Sequence, residues 1–457
     1  MSASRDSDVI VIGAGAAGLA AALELRRAGL EAVVVDAGDR PGGVMRTDTV
    51  RGHRIERGPN TLQVKAPALG FLRAHGLEGG LVAAAPASRV RFLFHEGKLE
   101  RVPTGPLAFA RSPLLSARGK LRLLAEPFVR RGDAEGESVA GFMARRFGPE
   151  VVERIVGPAL TGIYAGDESQ LGADAVLGFA TALERSHGSV VRGALAGALR
   201  RRGATRGLAG SFSTPAGLGG LAQALAAPLG ESLALGARVE ALARDAAGFR
   251  VAVSRGGRTR ELVTRGVVLA VPAPEAAALL KAIAPDAAEA AARVAYAPVV
   301  SAAVSIDPRD ARERIEGFGF LVPASAGLRL LGVLFMSRLF EGRAPVGRVL
   351  LTCLLGGARW PGAVDEPEDA LLARLHDDLG ATLGHRGATD VLGVARWRHA
   401  VAQPGRDHLA LVAGLRRSVA SSPGLAVAGA WLDGVSIADT LACGARAARE
   451  LCAALSR

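Results

Sequence analysis

At 457 residues the chain is too long for one ordinary domain, so two or three are expected. Hydrophobic residues make up 49% and aromatics only 4%, so large cores must be built mainly from Ala, Leu and Val. The net charge of +12 is carried by arginine with four lysines (Lys65, Lys98, Lys120, Lys281), and no basic run is interleaved with aromatics, which argues against a nucleic-acid partner.

Cys353, Cys443 and Cys452 form no C-x-x-C pair. Neither a disulfide framework nor a metal site is expected, and a reducing, cytoplasmic compartment fits. Asp6 and Asp8 precede the first apolar stretch, unlike a signal peptide. No uninterrupted apolar run reaches the roughly 18 residues that cross a bilayer, so a soluble or peripheral protein is expected.

Residues 8–12 (DVIVI) read as a buried parallel strand. They run into GAGAAG, with Gly13, Ala14, Gly15, Ala16, Ala17 and Gly18. A helix follows, ending near Gly29, and then a second strand closes at Asp36 and Ala37. The order is strand–glycine turn–helix–strand, with an acid 18 residues beyond the last glycine. Gly13 permits the tight turn. Gly15 lets backbone approach a pyrophosphate, and Gly18 lets helix and strand pack closely. The helix N-terminus attracts phosphate. Asp36 can accept from ribose hydroxyls and would repel a 2′-phosphate.

Residues 36–47 then read D-x-x-x-R-x-G-G-x-x-R-T, bringing Gly43 and Arg46. This pattern resembles the flavin amine oxidase superfamily, which implies FAD. Residues 51–65 read as a hairpin-like pair flanking Gly58, Pro59, Asn60 and Thr61. A β-hairpin is expected at RFLF and KLERVP, turning at Glu96-Gly97. Residues 104–130 alternate Leu and Phe with Arg, which suits either a membrane surface or a self-packed helical subdomain. Residues 136–205 read as helical, and RRRGATRGLAG as an exposed linker. Residues 211–230 read as a turn and a helix, and 231–273 as a strand series. Strands dominate 295–412, with one covering helix near 366–383. Residues 424–431 read as a last strand, and 432–456 as a helix bearing small residues on one side. Gly429, Val435, Ser436 and Ile437 lie at that turn. No second strand–glycine–helix unit is evident. Electrons are therefore expected to leave to oxygen or a quinone rather than to a bound nicotinamide.

GPNT (58–61), GIYAGD (162–167), EGFGFLVP (316–323), GVLFMSRLFEGRAP (332–345), WRHAVAQPG (397–405) and AGAWLDGVSIAD (428–439) are similar, in order, to the protoporphyrinogen oxidases of that superfamily. The resemblance implies an α/β fold: a discontinuous Rossmann-like FAD-binding domain (1–88, 206–290, 413–457), a helical, membrane-facing subdomain (89–205) and a mixed-sheet substrate domain (291–412). It implies oxidation of protoporphyrinogen IX to protoporphyrin IX, with oxygen reduced to hydrogen peroxide. A homodimer and hand-off to the next haem-pathway enzyme are the further partners it admits. It places Arg91 on a substrate propionate and Leu321 and Phe335 against the macrocycle. It sets Gly162 and Gly166 beneath the ring, Val239 at the adenine end and Trp397 near the flavin. From the residues alone, Arg91 reads as a solvated hairpin arginine, and Leu321 and Phe335 read as core. Coproporphyrinogen III oxidation stays open. A flavin amine oxidase would need an aromatic cage, which two tyrosines (Tyr164, Tyr296) supply poorly. A non-enzymatic FAD scaffold is the remaining class.

Overall fold

The computed structural model of the protein describes residues 6–132, 135–200, 210–246 and 248–456. Most of the expected linker, at residues 201–209, lies outside the described residues. Two seven-stranded sheets organise the rest. In the first, β1 (Ser7–Ile12), α1 (Ala16–Arg27) and β2 (Ala32–Val35) form the expected unit. β1 runs parallel to β2 on one side and to strand Arg258–Leu269 on the other. Val9, Ile10 and Val11 are fully buried, as a central strand covered on both faces requires. The Ala/Leu-rich α1 is a strong helix former, and it stops at Gly29, whose φ is +83°.

Chain ends meet in this sheet. Strand Leu425–Val427 pairs in parallel with Arg258–Leu269. The helix that follows, Ile437–Leu455, lies on α1. A Cβ at Gly444 would overlap the Ala17 carbonyl, so the small residues on this helix serve close helix packing.

The second sheet runs, strand by strand, Asp390–Gln403, Ala295–Ile306, Val349–Gly356, Leu330–Leu334, Gly319–Leu321, Phe92–His95, Lys98–Arg101. Helix Glu368–Leu383 covers it, burying Leu371, Leu375, Leu379 and Leu383 at four-residue spacing. The hairpin turning at Glu96-Gly97 forms as expected, both turn residues having positive φ. In space it extends the second sheet, with Phe92 paired to Phe320, because Phe94 enters that sheet's core.

Two readings need correction. The turn of the early hairpin (Thr47–Val50 with His53–Glu56) falls at Arg51-Gly52, not at Gly58-Pro59. Residues 58–61 leave the hairpin as an irregular segment instead. Residues 408–412, the end of the stretch expected to be dominated by strands, instead begin helix His408–Ala420, with Leu411, Val412, Leu415 and Val419 as its buried stripe.

The helical segment includes Val139–Phe147, Gly157–Tyr164, Gly178–His187 and Val190–Arg200. Fully buried Arg146 clamps it by pairing with Glu126 and Glu184. On its outside Leu121, Leu124, Phe128 and Leu195 are exposed, Phe128 at 84%. Among the described residues no helix is long and apolar enough to cross a membrane.

Candidate active site

The glycine turn has the geometry its spacing demands. Gly13 adopts φ +107°, and a Cβ there would sit 2.5 Å from the Ala270 carbonyl oxygen. A Cβ at Gly18 would overlap the Gly13 carbonyl. Gly15 differs: nothing lies within 4 Å of its would-be Cβ. Gly13 and Gly18 are therefore glycines of packing, and Gly15 is a glycine of approach. Ala14 and Ala17 are buried, while Gly15 and Ala16 reach the surface of the cradle.

Asp36 closes the other side. Its carboxylate accepts from the Ala14 and Gly38 amides, both at 2.6 Å, leaving further lone pairs for hydroxyls. Ala37 beside it is exposed. The Asp36 carbonyl accepts from the Ala237 amide at 2.8 Å, which sets Val239 and its β-bulge next to this end. The second glycine pair folds back on the first: the Gly42 amide donates to the Ala14 carbonyl at 2.7 Å, and Gly43 abuts Gly15. Gly58 in turn packs on the Val44 carbonyl, where a Cβ would collide. Trp397 donates from Nε1 to the Arg57 carbonyl at 2.7 Å, so it stands beside the start of the 58–61 segment.

Two buried polar atoms here, Arg46 Nε and Asn60 Oδ1, find no partner in the protein. Buried polar groups are rarely left so. One surplus donor and one surplus acceptor fit a heterocycle with both kinds of edge. The far wall is the turn 429–436. Gly429 lies under the Trp431 indole, Gly434 adopts φ +148°, and Ser436 caps helix Ile437–Leu455 by accepting from the Asp439 amide at 3.1 Å. The Ile437 side chain is buried, while its backbone begins the helix. Lys65, just past Thr61, pairs with Asp439 at 2.7 Å and ties the two walls together.

The second group of expected residues gathers on the other sheet. Exposed Arg91 lies over the Phe318 ring at 4.8 Å and has no carboxylate partner among the described residues. Leu321 is half-buried and would touch a Cβ at Gly162 at 2.8 Å, so helix Gly157–Tyr164 and this strand meet there. Two of the expected ring contacts are buried among protein atoms. Phe335 is 0% exposed and packs against Phe320 in the sheet core, because its side chain points to the covered face. Gly166 is buried against Gln403, a packing glycine.

Tyr164 joins the two groups, although its sequence position alone assigned it no role. It lines a cavity of about 480 Å³ together with Gly434 and Val435 of the 429–436 turn. Burial, reinforced by the Asp439 charge, holds its hydroxyl above the usual range and so protonated at neutral pH. The only hint in the sequence was its place inside GIYAGD.

The family model of the flavin containing amine oxidoreductases matches residues 16–452. The chain belongs to that family. Its cofactor is FAD, and the glycine turn, Asp36, Arg46 and Asn60 are the residues that fit it. This amine oxidoreductase is 31% identical to the chloroplastic protoporphyrinogen oxidase of Nicotiana tabacum, over 99% of this chain and 87% of that one. It is also 31% identical to the coproporphyrinogen III oxidase of Propionibacterium freudenreichii subsp. freudenreichii, over 97% of this chain and 90% of the relative. A crystal structure of an Exiguobacterium sp. 255-15 protein shares the fold, with TM-score 0.82 at 23% identity and 99% of each chain covered.

Proposed function

We propose that this flavoprotein oxidises protoporphyrinogen IX to protoporphyrin IX, with molecular oxygen as terminal acceptor, in haem synthesis. Six electrons and six protons leave the macrocycle in three pairs, and three molecules of oxygen become three of hydrogen peroxide. A bound flavin supplies the two-electron acceptor. The residues need only place and enclose the substrate, because the pyrrole nitrogens themselves push electron density toward the meso carbon.

The observation that carries this reading is Arg91. Its guanidinium has no carboxylate partner among the described residues, is steadied on Phe318, and stands beside the sheet that also presents Leu321. A planar fork of this kind suits a propionate. Leu321 and exposed Gly162 form an apolar edge beneath the ring, and the protonated Tyr164 lies between that edge and the flavin-side turn.

A second reading, oxidation of coproporphyrinogen III, is favoured by the Propionibacterium relative. That substrate carries four propionates, and Arg416 and Arg417 line the cavity beside Tyr164. Porphyrin fluorescence, followed in parallel with the two porphyrinogens, separates the readings. Faster turnover of coproporphyrinogen transfers the assignment to it, and no porphyrin from either overturns both.

The same proposal includes peripheral attachment to a membrane. Leu121, Leu124, Phe128 and Leu195 are exposed on the helical segment, and Arg192 lies over the Phe128 ring at 6.0 Å. Apolar side chains flanked by guanidinium groups suit an anionic lipid surface.

A further inference from the structure

We infer that Arg343, acting through Glu56 and Thr47, is a positioning residue for the flavin cradle. It holds helix Leu218–Ala226 against the Gly42 turn, and with it the segment that carries Arg46. The inference rests on the cradle assignment above and adds three side chains to it.

Arg343 comes from EGRAP, the end of the 332–345 motif. It is 1% exposed, and its Nη1 donates to Glu56 Oε1 at 2.8 Å while its Nη2 donates to Ser213 Oγ at 2.7 Å. Glu56 is equally buried. Its other oxygen accepts from Thr47 Oγ1 at 2.6 Å, the two residues being paired across the early hairpin. Each is adjacent in sequence to a cradle segment: Thr47 follows Arg46, and Glu56 precedes Arg57, whose amide donates to the Arg46 carbonyl at 2.8 Å.

Helix Leu218–Ala226 has no cap of its own. It begins at Gly217, with φ +86° and no side chain. Glu56 and Thr47 supply the cap from a distance. The Leu218 amide donates to Glu56 Oε1 at 3.1 Å, and the Gly219 amide donates to Thr47 Oγ1 at 2.8 Å. A carboxylate at a helix N-terminus satisfies orphan amides and the helix dipole together. Any Cβ at Gly217 would fall on Thr47 and Glu56, so only glycine admits this cap. Ala222, one turn into the helix, then meets Gly42, where a Cβ would overlap its own. Gly42 is bonded to the Ala14 carbonyl of the glycine turn. The chain of contact thus runs from the second sheet to the pyrophosphate side of the cradle.

Burying two charges costs more than their attraction returns unless the geometry is tight, so such a pair argues for specificity of position. It sits where three segments of distant sequence must meet in one register.

The test uses the FAD-loaded protein and five variants. Thr47→Val keeps the shape and removes the hydroxyl, and Thr47→Ser restores it. Arg343→Lys keeps a charge for Glu56 but loses the fork. Leu351→Ala, in the core of the second sheet, is the control for simple loss of stability. The readouts are Tm, the FAD dissociation constant and the position of the bound flavin's visible band. Thr47→Val and Arg343→Lys are expected to weaken FAD by about tenfold and shift the band, consistent with the loss of one charge-assisted bond. Thr47→Ser should stay within about twofold, as should Leu351→Ala despite a lower Tm. If Thr47→Val and Arg343→Lys lower Tm and leave FAD affinity and spectrum as in the parent, the network is only structural. Arg46→Ala distinguishes the two levels: an unchanged flavin there removes the cradle assignment, whereas a changed flavin beside silent Thr47→Val and Arg343→Lys removes this inference alone.

Discussion

On the assignments proposed above, the two sheets meet their ligands with different materials. In the first, backbone is the material: carbonyls and amides of residues 13–18 and 42–43 approach one another closely, and Asp36 adds a carboxylate at that end. In the second, side chains are the candidates: Arg91, Phe318, Leu321 and Tyr164 arrive from the foot of the hairpin, one strand and a helix. Backbone recognition tolerates almost no substitution at its glycines and leaves the remaining residues free. Side-chain recognition allows exchange at each point, so one scaffold can serve different substrates.

The sharpest way to break this contrast is at the glycines. Gly18→Ala drives a methyl into the Gly13 carbonyl and is expected to cost at least about 4 kcal/mol, seen as loss of soluble yellow protein. Gly15→Ala should leave Tm within a degree or two and yet weaken FAD, since its methyl enters open space on the cradle side. Equal destabilisation by both would erase the distinction between packing and approach.

Phe335→Ala tests the reassignment on the second sheet. As a fully buried residue beside Phe320 it should cost about 3 kcal/mol in denaturant unfolding, with the porphyrinogen KM little changed below the transition. A raised KM at parent stability would return it to the ring contacts.

Arg91→Ala addresses the side-chain contribution directly. Losing one charged fork should raise KM for the porphyrinogen by roughly tenfold while kcat stays within a factor of about two. Since Arg91 is exposed, Tm should not move. An unchanged KM would count against propionate binding.

His408, in the cavity wall, offers a smaller effect through pH. Burial holds its imidazole below the usual range, against the opposing pull of the Leu432 backbone, Asp407 and Asp433. The unfolded chain therefore binds more protons below about pH 6.5, so this contribution is complete above that pH and is lost as pH falls. Urea unfolding at pH 5.5 against 7.5 should show the parent losing more stability than His408→Gln. Parallel losses would show that the residue is not the source.

The slightest change in stability should come from Phe128→Ser on the outer helical face, within about 0.5 kcal/mol. Flotation with anionic liposomes should nevertheless fall, and undiminished flotation would sink the lipid-facing proposal.

How much of this was legible in the chain follows from the same contrast. The cradle was readable because its rules are local: spacing of Gly13, Gly15 and Gly18, the apolar run before them and Asp36 after them each have one physical cause. The slot was readable only through resemblance, and the burial of Phe335 was not legible there, because Phe335 stands between strand Leu330–Leu334 and helix Met336–Leu339 and meets Phe320 only in the folded chain. Likewise nothing in the sequence marked Arg51-Gly52, rather than Gly58-Pro59, as the hairpin turn; pairing of Thr47 with Glu56 decided it.

Local backbone geometry and hydrophobic period, then, determined the βαβ unit, the strand series and the covering helix without reference to anything distant. Tertiary structure decided which partners buried charges found. Arg343, Glu56, Thr47 and Ser213 are unremarkable where they stand in the chain, and only their desolvation together, where the early hairpin, strand Ser211–Ser213 and the loop carrying Arg343 meet, makes each one's position depend on the others.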